Sequence, residues 1–195
     1  DAPFNLQYYK KGDYDTEIAY MGCRTRVMGN VHDRKRETTC GRGNLSFTSV
    51  NLPRTGIEAK GDIKKFYELL DERIDLCVEQ LLHRFKIQSS KKAYNYPFLM
   101  GQGVWIDSDS LDRNDSVAEV LKHGTLSVGF IGLAETLVAL TGKHHGESEE
   151  SYKLGLEIIT YMRERMDKLS EKYGLNFTLL ATPAEGLSGT FTRSD

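Results

Sequence analysis

Apolar side chains recur at three- and four-residue steps along Ile63, Phe66, Leu70, Ile74, Cys77, Leu81 and Phe85. That spacing predicts one buried stripe on a long α-helix, opened by an N-cap at Asp62 and running to about residue 88. Ser89-Ser90-Lys91-Lys92 closes it. A second stripe, Tyr152, Leu156, Ile159, Met162, Met166 and Leu169, predicts another long helix opening at Ser148. Glu149 and Glu150 fall in its first turn, where the helix macrodipole favours negative charge. Lys172-Tyr173-Gly174 is a stop signal. Two such amphipathic helices need an apolar layer to cover, and the short β-type runs between them supply it.

The first of these runs, residues 45–52, alternates at period two and is read as a strand that Pro53 ends. Residues 125–131 and 177–181 are read as strands. Pro97-Phe98-Leu99-Met100 and Val104-Trp105-Ile106 are read as buried extended pieces around Gly101-Gln102-Gly103. Short helices are expected over 116–122 and 132–140, with polar loops over 107–115 and 141–146. Residues 1–17 form a polar surface segment with a turn at 10–13, residues 18–28 an extended segment, and residues 29–43 a loop dense in Gly, Arg and Asp. Strands alternating with helices predict an α/β architecture with a largely parallel sheet. No repeat of fixed period and no low-complexity segment is present.

The 195 residues suffice for one domain with a sizeable core or two small ones. A net charge of −2, from 26 basic and 28 acidic residues, gives no general attraction for nucleic acid or an anionic membrane. No apolar run approaches the roughly 20 residues that span a bilayer. The three cysteines, Cys23, Cys40 and Cys77, argue against a disulfide framework and for a reducing compartment. No CxxC pair marks a zinc or thioredoxin-like site. The chain starts at Asp1 without an initiator Met and stops at Asp195 without a closing element, so it is expected to be an internal piece of something longer.

Three places are candidates for chemistry. Cys23 sits between Gly22 and Arg24, with Arg26 close by; it reads either as a reactive thiol on a loop tip or as a small buried hydrophobe. Cys77 lies on a helix stripe and reads as core, and Cys40 is a loop thiol without an assignable partner. The turn Thr182-Pro183-Ala184-Glu185-Gly186-Leu187-Ser188-Gly189 leads from a strand into a helix start. It reads either as a phosphate cradle, from backbone N–H groups with the Thr182 and Ser188 hydroxyls, or as an ordinary capped turn. It lacks the Gly-Lys-Ser/Thr of a dedicated phosphate loop. His144-His145-Gly146-Glu147 reads as a polar loop because adjacent histidines point apart. His123-Gly124 reads as a helix stop, and Arg34-Lys35-Arg36 as a solvated loop.

Taken together, several motifs resemble one family in order. Met21-Gly22-Cys23-Arg24-Thr25, Gly41-Arg42-Gly43-Asn44-Leu45 and Val50-Asn51-Leu52-Pro53-Arg54 resemble the finger loop and following strand of the anaerobic (class III) ribonucleoside-triphosphate reductases. Residues 123–135, 142–148 and 176–189 continue the resemblance. It runs from about residue 18 onward.

The resemblance implies a ten-stranded α/β barrel, built of two five-stranded parallel halves set antiparallel, with a finger loop through its centre. The chain would be a fragment of that catalytic barrel, about one half, with the finger loop at about 18–44 and strand–helix units over 45–195. Cys23 matches the cysteine that becomes a thiyl radical and takes the 3′-hydrogen of a ribonucleoside triphosphate. A dry, enclosed site suits such chemistry. Asn44 matches a residue near the ribose and formate site, and Thr25 a small hydroxyl residue there. Thr182, Pro183, Ala184, Glu185, Gly186, Leu187 and Ser188 match the loop that holds substrate phosphates. The implied reductant is formate. The implied cofactor is a glycyl radical outside these residues, made by an activating enzyme with an iron–sulfur cluster and S-adenosylmethionine.

A structural zinc is also expected outside the fragment, with no metal site in it. The expected partners are the activating enzyme, the rest of the barrel and a second copy in a homodimer, with no nucleic acid or membrane. The expected location is cytoplasmic, and the fragment alone is expected to be inactive. The chain departs from the family pattern in lacking the glycyl-radical segment, the nucleotide-sensing domain and a strand carrying a second active-site cysteine, a role Cys40 does not match. Two other readings remain: another glycyl-radical enzyme of the formate-lyase type, and a non-catalytic α/β binding module.

Overall fold

The computed structural model describes residues 10–12, 20–21, 25–26, 29–37, 39–184 and 186–187. Near the start, β1 (Tyr20–Met21) and β2 (Thr25–Arg26) pair antiparallel, Tyr20 opposite Arg26 and Met21 opposite Thr25. Where it is described, the expected extended segment 18–28 is two short antiparallel strands. The main sheet has three parallel strands, β3 (Asn44–Asn51), β4 (Thr125–Ile131) and β5 (Asn176–Ala181), in the order β3-β4-β5. The α/β class and the parallel sheet are as expected.

Between β3 and β4 lie α1 (Leu52–Ala59), α2 (Ile63–Ser89) and the single turn α3 (Ala118–Leu121). Helix α4 (Leu133–Thr141) and α5 (Glu149–Tyr173) lead to β5. Helix α1 is a correction, because Pro53 was expected only to end a strand. The Asn51 side chain accepts a hydrogen bond from the Arg54 N–H at 3.1 Å, and Pro53 occupies the first turn. There its missing N–H is not needed and its fixed φ suits a helix. Asp62 caps α2 as expected, accepting from the Lys65 N–H at 3.0 Å.

The α2 stripe holds at Phe66, Leu70, Ile74 and Leu81, all fully buried. Ile63 is 36% exposed instead, and Val78 takes a place on the buried face. On α5 the first half of the expected stripe is displaced by one residue. Tyr152 and Leu156 are exposed, while Ser151, Gly155 and Ile158 are buried. The cause is the close approach of α4: a Cβ on Gly155 would meet Leu137 Cδ1 at 3.2 Å, and the Ser151 and Thr141 hydroxyls bond at 2.9 Å. Small residues make the contact, so the large ones turn outward. From Met162 onward the stripe is as expected.

Register separates the two faces of the sheet. Val50, Leu126, Val128 and Phe177 point into one core with Leu52, Phe66, Leu70, Leu137, Ile158 and Met162 of the helices. Residues 91–117 form a second, smaller core around Met100, Trp105, Val117 and Leu121. This segment also differs from expectation. It is built of turns, with one-turn 3-10 helices at Ala93–Asn95 and Ser108–Ser110. Phe98 and Val104 are exposed; Met100 and Trp105 alone provide the depth expected of the two pieces. The Trp105 Nε1–H donates to the Val120 carbonyl at 2.7 Å and fixes the segment to α3.

Candidate active site

The opposite face of the sheet is polar. Register places Asn44, Thr125 and Asn176 on one row, then Phe47, Ser127 and Thr178, then Ser49, Gly129 and Leu180. None of these residues belongs to the helical core, although Leu45, the bulge residue beside Asn44, packs against it. The side-chain oxygen of Asn44 accepts from the hydroxyls of Thr125 at 3.3 Å and Ser127 at 3.2 Å. Ser127 in turn bonds Thr178 at 2.8 Å. A chain of small polar groups thus crosses all three strands. Farther along, the hydroxyls of Ser49 and Thr182 bond at 2.6 Å across Gly129. A Cβ on Gly129 would lie 2.1 Å from the Thr182 hydroxyl and 2.5 Å from that of Ser49, so only glycine admits the pair.

Of the expected site residues, Asn44 and Thr182 lie on this one face but at opposite ends. Thr182 is six positions beyond Asn176, which is level with Asn44, about 20 Å along the strands at roughly 3.3 Å per residue. A single ligand touching both would have to lie along the face. Thr25 is placed by its backbone pairing with Met21. Gly22-Cys23-Arg24, the three residues that join β1 to β2, lie outside the described residues, as do Glu185 and Ser188.

The turn after β5 is tight. Ala184 has a left-handed backbone with φ 49°, at a cost of about 1 kcal/mol for a residue with a Cβ. The expected helix start is present at Gly186 and Leu187. Several backbone donors are already engaged: the Thr182 N–H with the Phe130 carbonyl at 3.0 Å, and the Leu187 N–H with that of Ala184 at 3.0 Å. Pro183 has none. The Thr182 hydroxyl is therefore the described group of this turn best placed for a ligand, alongside Ser49.

At the foot of the sheet, before the strands begin, a buried polar cluster closes the face. Asn30, Arg42, His123 and Asn176 are each no more than 4% exposed. The Arg42 guanidinium donates to the His123 carbonyl at 2.8 Å and the Gly29 carbonyl at 2.6 Å. Asn176 donates to the Lys122 and Gly124 carbonyls and accepts from the Val31 N–H at 2.7 Å. Arg36 forms a two-pronged pair with Asp107 at 2.7 and 2.8 Å, and the guanidinium holds that carboxyl below its usual range.

Sequence reasoning missed Ser49, Ser127, Gly129 and Thr178, although the alternation of small polar residues at 125, 127 and 129 is an available signal. It also read His123 as a mere helix stop; Arg36 is exposed, as a solvated loop residue would be, although it pairs with Asp107. Cys77 is core-side as expected, its thiol pushed up to about 11 by burial. Cys40 is exposed. His144 and Glu147 bond within their own loop, as a polar loop does. A separate cavity of about 640 Å³ is lined by residues 93–113, none of them in the sheet. Among the described residues no cluster of three or more His, Cys, Asp or Glu is placed to hold a metal, and no helix is long and apolar enough to cross a membrane.

Comparisons with known proteins fit this geometry. The anaerobic ribonucleoside-triphosphate reductase of Escherichia coli is 36% identical over 178 residues, covering 90% of this chain and 25% of that protein. The enzyme of the same name from phage T4 is 32% identical over 184 residues, covering 91% of this chain and 28% of that protein. The chain thus spans about a quarter of the length of the relatives it matches. Among solved structures, the anaerobic ribonucleotide reductase of Thermotoga maritima, with citrate in its active site, superposes with a TM-score of 0.55 at 21% identity. That superposition covers 74% of this chain and 25% of the Thermotoga chain, and shows a shared fold. The family model for anaerobic ribonucleoside-triphosphate reductase matches residues 2–195, and the chain belongs to that family.

Proposed function

We propose that these residues form part of the catalytic barrel of an enzyme that reduces ribonucleoside triphosphates to 2′-deoxyribonucleoside triphosphates with formate, without oxygen. In this reading the barrel has ten strands, β3 to β5 belong to one parallel half, and residues from about 18 to 44 are the finger loop. The observation that carries it is the polar face running from Asn44 to Thr182, in a family whose name states the reaction. A sheet covered by helices on both sides would be apolar on both. This one keeps hydroxyls and an amide on the side away from its helices, as a face lining a ligand space does.

The glycyl radical, expected outside these residues, would supply the unpaired electron by accepting the Cys23 S–H hydrogen, and it would be regenerated rather than consumed. The Cys23 sulfur takes the ribose 3′-hydrogen and later returns it. Between those steps the 2′-hydroxyl leaves as water, and formate gives up two electrons and its hydrogen to become carbon dioxide. The net change is a C–O bond replaced by a C–H bond at carbon 2′. Asn44, fixed by Thr125 and Ser127, faces the ribose and formate, and Thr25 lies beside them. The turn from Thr182 through Pro183, Ala184, Glu185, Gly186 and Leu187 to Ser188 lies along the phosphates, with Ser49 beside Thr182. The activating enzyme, a second copy and the remainder of the barrel complete the working protein; this portion alone is expected to give no turnover.

The test is Cys23→Ala in the full-length protein after activation. Loss of deoxynucleotide formation with a normal glycyl-radical signal is expected; persistent product sinks the reading. Asn44→Ala and Ser188→Ala should weaken substrate use without affecting radical formation. Calorimetric titration with nucleoside triphosphates separates this reading from a formate-lyase-type enzyme, which would show no binding.

A further inference from the structure

The buried cluster at the foot of the sheet fixes the state of one histidine. The Asn30 side chain is oriented by partners of known polarity. Its oxygen accepts from the Asp33 N–H at 3.3 Å, and its nitrogen donates to the Arg36 carbonyl at 3.0 Å. That same nitrogen lies 2.9 Å from His123 Nδ1. An amide nitrogen has no lone pair to accept with, so His123 Nδ1 has to be the acceptor. The proton of the neutral ring is then on Nε2, which faces Asp107 at 3.4 Å. Asn30 Oδ1 also accepts from Asn176 Nδ2 at 3.3 Å, so the amide cannot turn over without losing three bonds at once.

We infer that His123, as its Nε2–H tautomer, is a positioning residue that pins Asn30 and Val31, upstream of Asn44, against the foot of the sheet. The inference rests on the reading of Cys23 and Asn44 given above. The pinned residues open the segment that leads to Asn44. Residue 30 is drawn to residue 123 by one bond and to residue 176 by another, and Val31 N–H bonds Asn176 as well. The segment between Asn30 and Arg42 is thus tied at both ends, by Asn30 and by Arg42 on the His123 carbonyl.

A proton on Nδ1 would set two donors face to face. The groups around the ring oppose it in sum. Burial and the charges of His32, Arg36 and Arg42 disfavour the imidazolium, and Asp107 alone among these favours it. Asp33 also interacts electrostatically with the ring, and the His32 ring meets it edge-on at 4.8 Å.

Three variants of the full-length protein test the pin. His123→Asn keeps an acceptor where Nδ1 stands; His123→Gln keeps a donor where Nε2 stands; His123→Ala keeps neither. Amide hydrogen exchange of Val31 and Asp33 should quicken roughly tenfold in the Gln and Ala variants, the loss of about one hydrogen bond, and much less in Asn. With glycyl-radical content matched by electron paramagnetic resonance, turnover should fall by a similar factor in Gln and Ala, and the acid limb of kcat should flatten in Asn. Equal exchange in all variants and wild type overturns the inference, and so does an Asn variant as impaired as Gln. Product formation by Cys23→Ala would instead overturn the functional reading, while the exchange rates still decide the pin.

Discussion

The two faces of one sheet are held by different means. On the helix side, Val50, Leu126, Val128 and Phe177 sit in a continuous apolar core, where cohesion comes from area removed from water and tolerates imprecise geometry. On the other side, Asn44, Ser127 and Thr178 are joined by directed hydrogen bonds, and Ser49 meets Thr182 only because Gly129 leaves the space. The first face makes the fold stable. The second is specific in direction, a property that a ligand space needs and a core does not.

The comparison can be broken most forcefully on the apolar side. Phe66→Ala removes a fully buried ring and should cost 3–5 kcal/mol, or about that, in urea unfolding, with no preference for any ligand lost first. A loss under about 1 kcal/mol would show that α2 is not integral to the core. On the polar side, Gly129→Ala should cost about 1–3 kcal/mol by overpacking against the two hydroxyls. Adding Ser49→Ala and Thr182→Ala should relieve most of that cost, and failure to do so would mean that the clash lies elsewhere.

Acid should act at the foot of the sheet. Burial holds the His123 imidazole below its ordinary range, so the unfolded chain binds the extra proton more readily. This contribution to stability is complete above about pH 6.5, the unfolded value, and is lost as pH falls through the lower folded value. Asp107, held low by Arg36, works in the same direction in more acidic solution. A thermal-melting series across pH 7 to 5 checks this, and a His123→Asn protein should show a shallower slope. The smallest effect belongs to the surface: Arg34→Ala removes an ion pair with Glu171 whose side chains are 66% and 64% exposed, and the midpoint should move by less than about 0.5 kcal/mol.

What the sequence makes legible follows the same division. Periodicity locates β3, β4, β5, α2 and most of α5, because apolar burial leaves a repeating trace. It fails where small residues do the packing: Ser151 and Gly155 carry the α4 contact, and no hydrophobicity pattern marks them. It fails at Leu52–Ala59, where Pro53 starts a helix rather than only stopping a strand. In residues 97–106 it mistakes apolar content for extension. Gly101 there sits so close to the Pro97 carbonyl that a Cβ would stand 2.4 Å from it, which reveals a tight turn. The foot cluster left no trace as a cluster: Arg42, His123 and Asn176 fall within separate motifs that resemble the family, but the bonds that join them to Asn30 span 93 and 146 positions and no spacing marks them. For the site, the motifs that resemble the reductase family single out Asn44 and Thr182 as candidates, but not the Ser49 and Ser127 hydroxyls that bond them or the Thr178 hydroxyl beyond Ser127.

The bond between Asn30 and Asn176 joins positions 146 residues apart, and it has a consequence for the order of assembly. Closing so long a loop before the intervening strands exist would be entropically unfavourable and poorly rewarded. β3 has to await β4, and β4 has to await β5, before Asn176 stands where Asn30 can reach it. During synthesis Asn30 emerges early, yet its attachment to Asn176 is the last to close. Asn30 is thereby fastened in place only once the strands beside it have been built.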